Sequence, residues 1–249
     1  MAGTALLGRL NWLVAEVEET RPETARARSI LLQVPGWAEH RPGQHVDLRL
    51  TAEDGYQAQR SYSIATPADG ERITITVELV PDGEVSPFLV EELRVRDRFE
   101  LRGPIGGYFV WEPSVGGPLQ LIAGGSGLVP LMAMVRAQKP GAEVPTRLLV
   151  SARSVDDLLY RDELDRLAVE RDAVEIFETL TRSRPDGWEG YAGRVDRAML
   201  EELAWPPTEQ PHVFVCGPTG FVEAVATHLI GLGHDPGRVK TERFGPSGG

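Results

Sequence analysis

The sequence predicts two domains of different class: an antiparallel β sandwich or barrel over residues 1–113, then a parallel α/β sheet over residues 118–249. Three observations lead there. A chain of 249 residues is long for one average domain and comfortable for two, each with its own core. The first half alternates apolar and polar residues with period two between turn signals, whereas the second half alternates strand-like with helical runs. Between them, Glu112-Pro113-Ser114-Val115-Gly116-Gly117-Pro118 is a stretch of chain breakers that marks the boundary.

In the first half the strand-like runs are Leu13 to Val17, Ser29 to Val34, His45 to Leu50 and Arg72 to Leu79. In the last of these, Ile73, Ile75, Val77 and Leu79 face one way and Thr74, Thr76 and Glu78 the other, the pattern of a half-buried strand. Turn signals at Pro42-Gly43, Glu53-Asp54-Gly55 and Pro81-Asp82-Gly83 separate the runs, and one short helix is expected from about Ser86 to Leu93.

In the second half the order is a strand at Leu119 to Ala123, a helix to about Lys139, a strand at Arg147 to Ala152 and a helix near Asp162 to Arg171. A strand at Val174 to Leu180, a helix near Asp196 to Leu203 and a strand at His212 to Cys216 follow. A helix from about Gly220 to Leu232 and a strand at Arg238 to Glu242 complete it, the order of a parallel sheet with right-handed crossovers. In the last helix Phe221, Val222, Val225, Ala226 and Leu229 recur at the helical spacing that buries one face.

Composition narrows the function. The formal net charge of -11, spread rather than gathered in a tail, disfavours nucleic acid and anionic membranes as partners, since both are polyanions. With Cys216 as the one cysteine, the chain alone holds no internal disulfide, cysteine-ligated zinc or iron–sulfur cluster. His40, His45, His212, His228 and His234 show no ligand spacing, so no metal is expected. No apolar run approaches the length of a membrane span, and the run in Met1 to Asn11 is too short for a signal peptide. A soluble protein in a reducing, cytoplasmic setting is expected.

Gly124-Gly125-Ser126-Gly127-Leu128-Val129-Pro130 follows an apolar strand and opens a helix. Glycines there permit positive φ and let the backbone approach a pyrophosphate, and a helix N-terminus offers unpaired N–H groups and a partial positive charge. Pro130 suits a first helical turn but stands where the third glycine of a GxGxxG pattern would fall. Taken alone, the run fits a tight turn as well as a ligand site. The second strand of such a sheet meets the adenosine ribose, and here it ends Val150-Ser151-Ala152-Arg153-Ser154. A cation flanked by two hydroxyls suits a 2′-phosphate, which argues for NADPH over NADH, unless Arg153 is an ordinary solvated arginine. Arg182, two residues past the third strand, is its candidate companion.

Arg60-Ser61-Tyr62-Ser63, with Ile64-Ala65-Thr66-Pro67 behind it, puts Arg60, Tyr62 and Ile64 on one face of an extended segment. A guanidinium, an aromatic face and a hydroxyl suit a phosphate, a ring system and a ring nitrogen. Together with Gly83-Glu84-Val85-Ser86, Gly103-Pro104-Ile105-Gly106, Gly124 to Pro130 and Cys216-Gly217-Pro218, this segment resembles the ferredoxin–NADP reductase superfamily over nearly the whole chain.

The resemblance implies an antiparallel six-stranded flavin-binding β-barrel with one short helix, then an α/β domain with a five-stranded parallel sheet for a nicotinamide nucleotide. It implies that Arg60 contacts flavin phosphate, Tyr62 stacks on the isoalloxazine and Ser63 lies near flavin N5. Gly83, Val85 and Ser86 would hold a pyrophosphate, Ser86 from the N-terminus of its short helix, which favours FAD over FMN. Gly124, Gly125, Ser126 and Gly127 would hold the dinucleotide, NADP with NAD as the alternative. Cys216, Gly217 and Pro218 would border the nicotinamide, Glu242 would tune protonation at the ring and Phe244 would cover it. Cys216 has the rival role of a small buried hydrophobe. Glu242-Arg243-Phe244 has that of an ordinary closing strand with a frayed tail, Gly245 to Gly249. The chain departs from the family at Asp82, where a second glycine is common, and at Ser126 and Val129, which replace threonines.

The expected activity is hydride transfer from NADPH, or NADH, to FAD and electron delivery to a separate acceptor such as a ferredoxin, a flavodoxin or a haem protein. The iron–sulfur domain fused to many relatives needs four thiolates and is expected to be missing. The chain is expected to be a monomer or part of a hetero-complex. Two other functions stay open: a non-catalytic or regulatory subunit that keeps the fold, and a free-flavin reductase or oxidase.

Overall fold

The computed structural model describes residues 10–245. The tail at 246–249 and all but the last two residues of the apolar run Met1 to Asn11 lie outside them. The first six strands are β1 (Leu13–Thr24), β2 (Ala27–Gln33), β3 (His45–Thr51), β4 (Gln57–Ser63), β5 (Arg72–Glu78) and β6 (Arg98–Ile105). They form one antiparallel sheet in the order β4-β3-β6-β1-β2-β5. The Ile64 to Ile75 bridge joins the chain just past β4 to β5, so the sheet closes on itself as a barrel. Ile30, Leu32, Leu48, Ile73, Ile75, Val77 and Leu101 fill its interior from alternate strand positions.

Two of these strands carry little of the alternation that reveals a strand. Along β4 only Ala58 is buried, and the Gly103-Pro104 pair interrupts the pattern of β6. β1 runs seven residues beyond the expected Val17, through a polar stretch that pairs with β2 and carries two register shifts. The short helix is a π-type turn at Phe88–Glu92 that buries Leu89 and Val90.

The remaining strands are β7 (Leu119–Gly124), β8 (Thr146–Ala152), β9 (Val174–Leu180), β10 (Tyr191–Ala192), β11 (His212–Pro218) and β12 (Val239–Phe244). They form a parallel sheet in the order β10-β9-β8-β7-β11-β12. To the five expected strands the fold adds β10, whose two residues pair with Thr179 and Leu180 and are too few to leave a periodic signal. The helices are α1 (Leu128–Arg136), α2 (Arg161–Glu170), α3 (Arg197–Leu203) and α4 (Thr219–Gly231). α1 and α2 pack with one face of the sheet and α3 and α4 with the other, in two separate apolar clusters. Phe109 and Trp111, on the connection between the sheets, and Ala27 and Ala65 from the barrel are buried in the cluster that holds α1. The two sheets therefore share buried surface.

Candidate active site

In this sheet the chain runs from β7 outward to β8, β9 and β10 on one side and returns through β11 and β12 on the other. The order reverses between β7 and β11, and a crevice at the carboxyl ends of such strands is where ligands bind. Cys216 of β11 lies level with Ala123 of β7 and Glu242 of β12, so the glycine loop, the cysteine and the acid meet there. The Phe221 ring covers both Gly124 and Gly217, and a Cβ on either would come within 2.8 Å of it.

The loop is shaped for close approach. Gly125 adopts φ +56°, a left-handed conformation that side chains resist. A Cβ on Gly127 would overlap the carbonyl of Cys216, so the loop and β11 touch backbone to backbone. No side chain caps the start of this turn or of α1, which leaves backbone N–H groups for an anion. Glu78, at the end of barrel strand β5, places Oε2 3.9 Å from a Cβ position on Gly125.

Across the crevice stands the end of β4, whose Ser63 hydroxyl donates to Glu242 Oε1 at 3.5 Å. Burial pushes the Glu242 carboxyl up to about 7, partly offset by that hydrogen bond. Cys216 is 1% exposed, and burial, with the nearby Glu242 charge, pushes its thiol well above the usual range. It is a neutral thiol.

Along β4 the side chains diverge. Tyr62 leans on the barrel core, and burial raises its phenol. The Ser61 hydroxyl donates to Asp47 Oδ1 at 2.6 Å while Arg102 donates to Oδ2 of the same carboxylate, which ties β4 to β3 and β6. Arg60 is exposed and its NH2 pairs with Glu84 Oε2 at 2.6 Å. The hydroxyl of Tyr56 donates to the other oxygen of Glu84, and these two hydrogen bonds, Tyr56 first, hold that carboxyl below its ordinary value.

The loop at 80–86 closes on itself. Ser86 is 6% exposed, and its hydroxyl accepts from the N–H of Val80 at 3.0 Å. Val85 is wholly buried. The Ser86 hydroxyl is thus engaged within the loop, and the Gly83 N–H donates to the Val80 carbonyl at 2.9 Å. Arg153 is exposed, and the two serines near it in sequence are differently placed. Ser151 is buried, and Ser154 donates to Asp157 at 2.6 Å. Arg182 does stand beside Arg153, because its N–H donates to the Arg153 carbonyl at 2.9 Å.

Pro218 and Phe244 are register partners at the open rim of the crevice, and Phe244 is 36% exposed. Ser63, Gly124 to Gly127, Cys216, Gly217 and Glu242 thus converge, with Pro218 and Phe244 at their edge. Arg60, Gly83 and Arg153 with Arg182 lie at separate flanks.

Three residues were not among the candidates. Glu84, within the Gly83 to Ser86 segment, pairs with Arg60. His45 lies between Ser63 of β4 and Ile105 of β6, with its imidazole lowered by burial. Arg136, at the last turn of α1, donates to the carbonyl of Ala65. Each signal is a contact between residues far apart in sequence, which no spacing rule reports.

Comparison with known proteins places two family models on the chain: an oxidoreductase FAD-binding domain over residues 15–110 and an oxidoreductase NAD-binding domain over residues 121–227. A glycine betaine monooxygenase reductase subunit from Pseudomonas aeruginosa is 34% identical over 210 residues, covering 83% of this chain. The chain spans 57% of that relative's length. An NADH-cytochrome b5 reductase 1 from Aspergillus terreus is 31% identical over 79% of this chain and 68% of its own. Among solved structures, a cytochrome P450 reductase from Amycolatopsis superposes with a TM-score of 0.82 at 28% identity, over 98% of this chain and 74% of its own.

Proposed function

Because the chain belongs to the ferredoxin–NADP reductase superfamily, with its paired FAD-binding and NAD-binding oxidoreductase domains, we propose that it is a flavoprotein reductase that takes hydride from NADPH or NADH and delivers electrons to a separate acceptor protein. The observation that carries this is the meeting of Ser63, from the barrel, with Glu242 and Cys216, from the parallel sheet, at the switch-point crevice.

The residues present fit FAD. Arg60 is an exposed cation, Tyr62 offers an aromatic face, and a Cβ on Gly83 would lie 3.0 Å from both Ser86 Oγ and the Val80 carbonyl, so that loop excludes a side chain. Bound FAD supplies a ring that accepts hydride and releases electrons singly. Arg60 binds its phosphate, and the backbone of Gly83, Val85 and Ser86 takes the second phosphate that distinguishes FAD from FMN. Gly124, Gly125, Ser126 and Gly127 hold the dinucleotide pyrophosphate, and Cys216, Gly217 and Pro218 border the nicotinamide. Below about 7, Glu242 holds a proton beside Ser63 Oγ, and Phe244 closes the rim. Arg153 and Arg182 meet a 2′-phosphate, which favours NADPH. We assign the flavin part to residues 1–113 and the nucleotide part to 118–249.

The relatives' names support the choice of acceptor class: an oxygenase component or a haem protein. The net charge of -11 disfavours an acidic ferredoxin. The test is an anaerobic titration. A yellow preparation bleached by NADPH or NADH, and reoxidised by a one-electron acceptor protein, supports the proposal. A colourless protein that cannot be reconstituted with FAD points to a non-catalytic subunit. Steady turnover with oxygen alone points to an oxidase.

A further inference from the structure

α1 begins at the glycine loop and ends at Arg136, so one helix of nine residues connects the proposed dinucleotide site to the barrel. Arg136 donates from NH1 to the Ala65 carbonyl at 2.6 Å. Its Nε and NH2 donate to the two oxygens of Glu163 at 2.9 and 2.5 Å, and its guanidinium lies 4.5 Å from the centre of the Tyr160 ring. A two-pronged arginine–carboxylate pair fixes the plane of the guanidinium as well as its position.

Tyr160 extends the contact. Its hydroxyl lies 2.5 Å from Thr76 Oγ1 on β5, Thr76 lies 2.8 Å from Ser29 Oγ on β2, and Ser29 donates to Glu23 at 2.5 Å. The donors run one way, from tyrosine to carboxylate, a chain in which each bond polarises the next. Tyr160 is held at φ +56°, a left-handed conformation that costs a bulky residue energy and persists only when its surroundings enforce it.

The barrel end of this clamp lies two residues past Ser63. Ala65 donates its N–H to the Thr74 carbonyl at 2.7 Å, beside the Ile64 to Ile75 bridge that closes the barrel. We propose that Arg136, braced by Glu163 and Tyr160, is a positioning residue: it sets the separation between the Ser63 strand and the glycine loop, and so the distance over which hydride passes. This rests on the reductase function proposed above.

The test uses Arg136→Lys and Tyr160→Phe in the full chain. The first keeps the charge but loses the fork, and the second keeps the ring but loses the bond to Thr76. Both should retain flavin, and in the flavin-free protein the Ala65 amide should exchange with solvent roughly fivefold faster as the seam loosens. Anaerobic flavin reduction should slow about tenfold in Arg136→Lys with dinucleotide affinity changed by less than about twofold, the signature of misplaced reactants. Unchanged exchange in the flavin-free variants, or unchanged reduction in the flavin-loaded ones, overturns the proposal, and so does loss of flavin from Arg136→Lys, which would make Arg136 a residue of flavin retention. If Arg136→Lys does not fold, wild-type values in Tyr160→Phe are decisive against it. A wild-type protein that neither dinucleotide reduces would defeat the reductase function, while amide exchange would still decide the clamp.

Discussion

Ser63 Oγ and Glu242 Oε1 lie 3.5 Å apart although 179 positions separate them in the chain, and the contact joins the barrel to the parallel sheet. Burial pushes the Glu242 carboxyl there up to about 7. Negative charge that develops on the hydride acceptor is better tolerated beside a neutral carboxyl than beside a carboxylate. Flavin reduction should therefore slow as pH rises through about 7, and Glu242→Gln should flatten the profile. Stopped-flow reduction between pH 5.5 and 8.5 checks both.

The same shift bears on stability. A folded-state value above the unfolded one means the native protein binds this proton more tightly, so its stability falls as pH rises from the ordinary glutamate range through about 7. The full difference is about 3 kcal/mol. Urea unfolding of the wild type should show part of this loss between pH 5 and pH 8, and Glu242→Gln should remove it.

In the proposed complex, Glu84 and the flavin phosphate compete for Arg60. Arg60→Ala should weaken flavin binding by roughly tenfold to a hundredfold, the range for loss of a charge-assisted hydrogen bond. Glu84→Gln should instead tighten it several-fold, because Arg60 is then released from its partner. Fluorescence titration of the flavin-free protein measures both, and a Glu84→Gln variant that binds more weakly would contradict the pairing argument.

Two neighbouring glycines should respond differently to alanine. At Gly127 the new Cβ meets the Cys216 carbonyl, and the protein should lose about 1–3 kcal/mol as loop and strand are forced apart. At Gly125 the new Cβ would make only an ordinary contact with Glu78, so the cost is the conformational one of about 1–2 kcal/mol. Chemical denaturation of the two variants tests the order.

Arg153→Ala and Arg182→Ala should each reduce kcat/KM for NADPH about tenfold and leave NADH nearly unchanged. Steady-state kinetics with both donors is the check. Equal loss with both would remove these arginines from the 2′-phosphate.

Much of this architecture is legible in the sequence because burial imposes a period. Ile73, Ile75 and Val77 announce β5, and the five long strands of the parallel sheet appear as apolar runs. β4 hides because Ala58 is its one buried residue, so a polar, largely exposed segment shows no apolar period even though Tyr62 leans on the barrel core. The candidate site was readable where a motif sits on the backbone, as at Gly124 to Gly127. It was less readable where a side chain chooses among partners. Ser86 turned inward to Val80, Ser154 turned to Asp157, and Glu84 claimed Arg60, each through a contact that residue type alone does not determine.

α1 touches the glycine loop at one end and Ala65 at the other, which turns its length into a specification. One inserted residue would swing Arg136 by about 100° around the helix axis and advance it about 1.5 Å, carrying its guanidinium off the barrel. Insertions should be excluded from this helix yet admitted just beyond it, where Lys139, Pro140, Gly141 and Ala142 are exposed. For chimaeras that exchange nucleotide domains between reductases, α1 must therefore travel with Tyr160 and Glu163, which brace it, and the cut belongs in the connection before β7, never within the nine residues of the helix.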